Sequence, residues 1–395
     1  MLTRAPASPP SAGDVLGLIR RGEASTRGEV ARATGLSRTA VTARLSALMG
    51  SGLVVEGEEG PSTGGRPPSR LRFNARAGVV LAVALGRSRT QVAVCALDGE
   101  VLAAAEFDHE DGAGPDEMMP RVRTTFDRLL KQAKVGKGAV RGVGLSLPGT
   151  VDVEHGMSLS SPIMKGWDGI PLAPYFAHLG DIPVRVENDA NALALSEALG
   201  HLTRFPDLVV LKASTGIGVG VFSDGRLLRG ASGAAGEVGH TKIAAAAGRG
   251  CRCGDVGCLE AVAAGWALVQ DSAKDGRPVA HVRELVARAV AGDADARRRV
   301  RDSGRRMGEV LAGVVNLLNP SAVVVGGDMA AAYDTFVAGL RETLYAESTA
   351  LASRELEILP STYGVQAGVV GCAQLALADV LSASSVDRAL AAVRR

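Results

Sequence analysis

Three cysteines within eight residues, Cys251, Cys253 and Cys258, constrain this chain more than any other feature. Their spacing is poor for disulfides and good for a metal ion. The stretch Cys251-Arg252-Cys253-Gly254-Asp255-Val256-Gly257-Cys258-Leu259-Glu260 follows closely on Glu237-Val238-Gly239-His240. Three thiolates and the imidazole of His240 make a closed Cys3His tetrahedron, the usual form of a structural zinc site. Gly254 and Gly257 let the backbone fold the thiolates around one ion. Four protein ligands leave no open position for water, which argues against a catalytic zinc. Cys95 and Cys372 stand alone in apolar stretches. Residues 1–13 lack the hydrophobic core of a signal peptide and read as a flexible tail. No apolar run reaches the roughly 18 residues of a membrane helix. The expected compartment is the cytoplasm, with no membrane partner.

The net charge of +2 conceals an uneven distribution. Residues 1–76 hold eleven Arg and six acidic residues, so the front of the chain is basic and the remainder mildly acidic. That division fits a small nucleic-acid reader attached to a larger body. Residues 14–76 read as three helices and a two-stranded wing. Thr26 and Glu29 form a capping box at one helix start. Gly35 suits the positive φ wanted at its end. Ser37 caps a third helix with Val41, Leu45 and Leu48 on one face. Its outward face carries Thr39, Ala43 and Ser46, flanked by Arg38, Thr42 and Arg44. Small polar groups and Arg suit a major-groove reader, because bulky side chains would hold the helix off the bases. Leu53-Val54-Val55 and Leu71-Arg72-Phe73 read as wing strands. Between them, Arg66, held extended by Pro67, can reach into a narrow minor groove. The expectation is a winged helix-turn-helix domain on double-stranded DNA, contacting it through Arg38, Thr39, Thr42, Arg44 and Arg66.

From residue 77 strands alternate with helices. Three strands precede helix-and-strand alternation, and the pattern occurs twice, predicting two similar α/β lobes with a cleft between them. The first lobe is placed at 77–188 plus 372–395 and the second, with the metal site, at 189–371. Glu187-Asn188-Asp189-Ala190-Asn191 falls at a strand end and a helix start, where α/β folds put ligand chemistry. Asn188 and Asp189 can fork onto neighbouring hydroxyls, and Asp189 can act as base to one of them. Taken alone, Asp189 reads first as a helix N-cap. The Gly-rich turn from Ala213 to Gly220 can expose amides to a phosphate, but a hairpin loop looks the same.

Together these residues resemble the ROK family of repressors and sugar kinases. The ExGH motif at Glu237 to His240, the cysteine motif through Glu260 and the stretch from Glu187 to Asn191 carry the resemblance. Gly144 to Gly149, Leu318-Asn319-Pro320 and Gly326-Gly327 add to it. The resemblance implies an actin-like, hexokinase-type (ribonuclease H-like) α/β body of two lobes. It further implies that Gly149, Asn188, Asp189, Glu237, His240 and Glu260 touch sugar hydroxyls. His240 would bind zinc through one ring nitrogen and face the sugar with the other. The family's kinases open with DxGGT, whereas this chain has Ala84-Leu85-Gly86-Arg87-Ser88-Arg89. A carboxylate is lost at Ala84, and a side chain intrudes at Arg87 where backbone must approach phosphate. Ser214 replaces a further Gly. Phosphoryl transfer depends on positioning and charge neutralisation at these points. The implied protein is therefore a sugar- or sugar-phosphate-responsive transcriptional regulator of carbohydrate genes, most simply a repressor and not an enzyme. In it Asp189 is a vestigial base, one structural Zn2+ is held per chain, and the assembly is a homodimer or dimer of dimers. The alternatives are an active, ATP-dependent ROK sugar kinase using Asp189, and a zinc-sensing regulator.

Overall fold

The computed structural model describes residues 9–59, 69–110, 113–159, 164 and 166–393. Helix α1 (Ala12–Arg20) begins earlier than the expected boundary at residue 14, because Ser11 and Asp14 form a reciprocal capping box. Residues 11–13 therefore belong to the helical unit and not to a tail. Helix α2 (Arg27–Thr34) starts at the Thr26–Glu29 capping box and ends at Gly35, with φ of 69°. Ser37 caps α3 (Arg38–Gly50), which buries Val41, Leu45 and Leu48. Strands β1 (Val54–Glu59) and β2 (Ser69–Phe73) form an antiparallel ribbon. Gly64, Gly65, Arg66, Pro67 and Pro68, between those strands, lie outside the described residues.

The body contains two five-stranded sheets of the same design. In the first, β3 (Val79–Leu85), β4 (Arg89–Ala96) and β5 (Val101–Asp108) make an antiparallel meander. After α4 (Pro115–Gln132), β6 (Val140–Leu147) adds parallel to β3. A small ribbon of β7 (Val151–Asp152) and β8 (Met157–Ser158) precedes β9 (Val184–Asn188), which adds parallel to β6. The sheet order is β5-β4-β3-β6-β9. The run Val79 to Leu85 is apolar throughout, as a central strand covered on both faces must be.

Helix α5 (Asp189–His201) leads to the second sheet. There β10 (Leu208–Ala213), β11 (Ile217–Ser223) and β12 (Arg226–Leu227) repeat the meander. Helices α6 (Glu260–Ala263), α7 (Gly265–Lys274), α8 (Val282–Val290) and α9 (Ala294–Leu318) intervene before β13 (Ala322–Gly326). Helices α10 (Tyr333–Glu347) and α11 (Ala350–Ser353) precede β14 (Glu357–Pro360), giving the order β12-β11-β10-β13-β14.

The chain returns through α12 (Ala367–Val380), which packs on β3 and β6 of the first sheet and on α5. This helix starts before the expected boundary at 372. Helix α13 (Ala383–Val393) packs on α1 at the opposite end of the sequence. The Gly13 amide donates to Asp387 Oδ1 at 3.0 Å, and a Cβ at Gly13 would overlap the Ala383 carbonyl. One apolar core accordingly runs from Val15, Leu16 and Leu45 through Val80 and Cys95 to Ala373, Leu377 and Val386. Among the described residues no single helix is long and apolar enough to cross a membrane.

Helices α5 and α12 cross at Gly371, where a Cβ would overlap the Ala192 carbonyl oxygen. Gly371→Ala is expected to destabilise the body by about 1–3 kcal/mol, the usual cost of overpacking. A lower urea midpoint checks this. Gly28, in α2, has open space around it, so Gly28→Ala should raise stability by up to about 1 kcal/mol through helix propensity.

Candidate functional site

A cleft of about 750 Å³ opens between the two sheets. Gly149, Asn188, Asp189, Glu237, His240 and Glu260 all line it. Asn188, not Asp189, is the N-cap of α5: its Oδ1 accepts from the amides of Ala190 and Asn191 at 2.8 and 3.1 Å. Its Nδ2 donates to the Gly149 carbonyl at 3.0 Å, which ties the turn after β6 to the helix start. Gly149 itself has φ of 86°, a conformation that costs glycine nothing. With the cap supplied by its neighbour, Asp189 is free to face the cleft. It does not stand alone, for Lys212 Nζ, from β10, donates to its Oδ2 at 2.8 Å. Burial lowers the pKa of this ammonium, but attraction and hydrogen bonding from Asp189 outweigh it, and the net direction is upward.

Beneath these residues lies a second acid, Glu187, almost fully buried. It accepts from the Asn188 amide and Asn191 Nδ2, each at 3.0 Å, and pairs with Arg229 at 2.7 Å. Breaking such a pair would strand a buried charge. On the other wall Glu260 is also buried. Its Oε1 accepts from the Ile217 amide at 2.6 Å and its Oε2 from Trp266 Nε1 at 3.3 Å. The turn from Ala213 to Ile217 is therefore a hairpin whose Ile217 amide is committed to a protein carboxylate. Gly216 is small because Glu260 packs against it, and Gly218 because Ala190 does.

Glu237 precedes the single turn Val238–His240 and leans toward the His240 ring, with Oε2 3.8 Å from Nε2. Burial, then the nearby carboxylates Asp189 and Glu260, push its carboxyl up to about 7. It can thus donate as well as accept near neutral pH.

The other ring nitrogen of His240 faces the cysteines. Its Nδ1 lies 3.8 Å from Cys251 Sγ, and Cys253 Sγ lies 3.8 Å from Cys258 Sγ. All four ligand atoms fall within 4.8 Å of one another. A tetrahedral centre with metal–sulfur bonds of about 2.3 Å has edges of about 3.8 Å, so the donors already stand at coordination spacing. The four residues fit a metal ion. Lys242 Nζ donates to Cys258 Sγ at 3.1 Å and pairs with Asp255, an outer layer that orients the loop.

At the end lined by Gly86, Arg87 and Ser88, side chains bridge the cleft. Ser88 Oγ lies 2.9 Å from His281 Nε2, and Arg89 pairs with Asp328 at 3.3 Å. Arg283 pairs with Asp108 at 3.0 Å, and the Ser214 hydroxyl donates to Asp328. Sequence reasoning placed Glu187 in the strand-end motif without a role, and missed Lys212, Arg229, Asp328 and His281. Lys212 alone carried a signal, as a charge inside an otherwise apolar strand run.

In the front segment Arg38, Thr39 and Thr42 are exposed along α3. Arg44 differs from the expectation. It is half-buried, with Nε donating to the Pro10 carbonyl at 2.6 Å and Nη1 to Ala40 at 3.2 Å. Its guanidinium is aimed at the chain before α1.

Residues 80–379 match the ROK family. The chain is 28% identical to the xylose repressor of Caldicellulosiruptor bescii over 93% of its own length and 95% of the repressor's. Its structure is similar to that of a ROK family transcriptional regulator, a homologue of the E. coli MLC protein. That likeness has a TM-score of 0.76 and 28% identity and covers 95% of this chain and 98% of the regulator. The ROK hexokinase of Thermus thermophilus is similar at a TM-score of 0.59 and 32% identity, over 76% of this chain and 99% of the hexokinase. The family match spans the two sheets and the cleft between them, and the chain belongs to the ROK family.

Proposed function

We propose that this chain is a sugar-responsive, DNA-binding transcriptional repressor of carbohydrate-utilisation genes. One observation carries the reading: likeness to the repressor and to the regulator covers 93% and 95% of the chain, more than the body alone, while likeness to the hexokinase covers 76%. The front segment is then the winged helix-turn-helix domain, with the first lobe (77–188 plus 372–395) and the second lobe (189–371) as the sensor. Helix α3 presents Arg38, Thr39 and Thr42 to the major groove of an operator, and Arg66 reaches the minor groove. Arg44 anchors the segment before α1, a packing role in place of the expected DNA contact.

The effector is a sugar or sugar phosphate held by Asn188, Asp189, Glu237, His240 and Glu260, with Gly149 lining the pocket. D-Xylose is the first candidate, from the repressor relative. His240, Cys251, Cys253 and Cys258 hold one structural zinc, which fixes the His240 ring at the sugar. We read the chain as a regulator and not a kinase, because Ala84 and Arg87 stand where the family's kinases keep the Asp and Gly around the phosphates; bridges at Ser88, Arg89 and Arg283 cross the same end of the cleft. It acts as a homodimer or dimer of dimers, since helix-turn-helix readers bind paired half-sites. A sugar that favours the closed lobes changes the spacing of the two reading heads and releases the operator.

Two outcomes are expected. Metal analysis of purified protein should find about one zinc per chain, and Cys258→Ala should lose zinc and sugar binding together. Full sugar binding by a metal-free preparation would contradict this. Operator affinity, measured by fluorescence anisotropy, should fall at least about tenfold with an effective sugar, a coupling of roughly 1.4 kcal/mol. Glu237→Ala should keep operator binding and lose the sugar response. Equal operator affinity across D-xylose, D-glucose and their phosphates would sink the sensor reading.

A further inference from the structure

The departures at Ala84, Arg87 and Ser214 concern the approach to phosphate. Lys212 bears on the metal ion that phosphoryl transfer requires. It is the only charged residue in β10, where Leu208 to Leu211 and Ala213 are fully buried. Its ammonium donates to Asp189 Oδ2 at 2.8 Å, and the charges of Asp328 and Glu260 also act on it. Asp328 is itself engaged by Arg89 at 3.3 Å and by the Ser214 hydroxyl. Ala84, at the cleft wall, offers no carboxylate.

We propose that Lys212 is a tethered cation standing in place of a divalent metal ion, so that this cleft binds its ligand metal-free. Hard divalent cations need several oxygen ligands and keep them only where those oxygens are available. Here one carboxylate holds an ammonium, and a second holds a guanidinium and a hydroxyl. A divalent ion entering would face the Lys212 charge at short range in a partly buried site, where repulsion is poorly screened. Displacing Lys212 from Asp189 would leave a partly buried ammonium without its partner, which is costly. The same pairing fixes the position of the Asp189 carboxylate at the cleft wall. This assignment concerns the ion and stands whether or not the cleft takes a sugar.

The test is Mn2+ binding by the full-length, zinc-loaded protein, read from the electron paramagnetic resonance signal of free Mn2+. Wild type is expected to bind no Mn2+ in an Asp189-dependent way. Lys212→Met should gain affinity of at least about tenfold, because it frees the carboxylate oxygens that a hard cation prefers. Adding Asp189→Asn to that variant should abolish the gain, which separates the cleft from any other carboxylates. Lys212→Gln keeps a polar side chain one atom shorter, reports the same gain, and replaces Lys212→Met should that variant fail to fold. Equal, Asp189-dependent Mn2+ binding in wild type overturns the proposal. So does the absence of any gain in a folded Lys212 variant.

Discussion

The architecture depends on the contact between α12 and the elements it crosses. Helices normally keep their axes 8–10 Å apart because side chains stand between them. Here three glycines remove those side chains. A Cβ at Gly371 would overlap the Ala192 carbonyl of α5, one at Gly144 the Cys372 carbonyl, and one at Gly368 would press on Ala84 at 2.9 Å. Helix α12 therefore lies almost backbone to backbone on β6 and α5. Because α5 starts at Asn188, this packing sets where Asp189 stands relative to Gly149 and Lys212.

The same helix connects the cleft to the front of the chain. It leads through α13 to α1, and the apolar core is continuous along that route. On the other side Glu197 of α5, fully buried, accepts from the Ser361 hydroxyl at 2.6 Å and from the Thr362 amide, just beyond β14. Movement of the second sheet thus has a polar grip on α5 and a packed path onward to α1. Close-packed contacts of this kind shift between discrete arrangements instead of deforming smoothly. The front segment shares its core with the first lobe, so any change in the angle between the lobes would be carried to α3.

Local physical chemistry was legible in the sequence. Thr26 with Glu29, Gly35 and Ser37 act at helix ends through contacts within a few residues, and each stands where reading residue types placed it. The cysteine cluster was legible for the same reason, since its geometry is set by a short loop and one nearby histidine. Long-range pairings were not. Nothing near Gly13 announces that α13 will press on it, and nothing near Arg44 points to the Pro10 carbonyl. The capping role fell one residue from the expected place because Asn188 and Asp189 are equally good caps by type. What separates them is Lys212, on a different strand, which claims Asp189. Chain order alone does not reveal that a charge in one sheet will answer a charge at the end of the other.

Charge balance explains why the cleft is built this way. Asp189, Glu237, Glu260 and Asp328 all line it, and Glu187 is buried below. Carboxylates are good acceptors for sugar hydroxyls, but several together cannot all stay ionised in a poorly solvated space. The structure resolves this group by group. Glu187 is neutralised by Arg229, Asp189 by Lys212 and Asp328 by Arg89. Glu260 satisfies its oxygens with the Ile217 amide and the Trp266 indole. Among the described residues Glu237 meets no Lys or Arg at comparable range, and it is pushed up to about 7 instead. Beside it, a metal on His240 Nδ1 would leave the proton on Nε2, the nitrogen that faces Glu237. The wall around Glu237 then carries a fixed donor next to a group able to donate or accept. A bound polyol needs that combination, because each hydroxyl is both donor and acceptor.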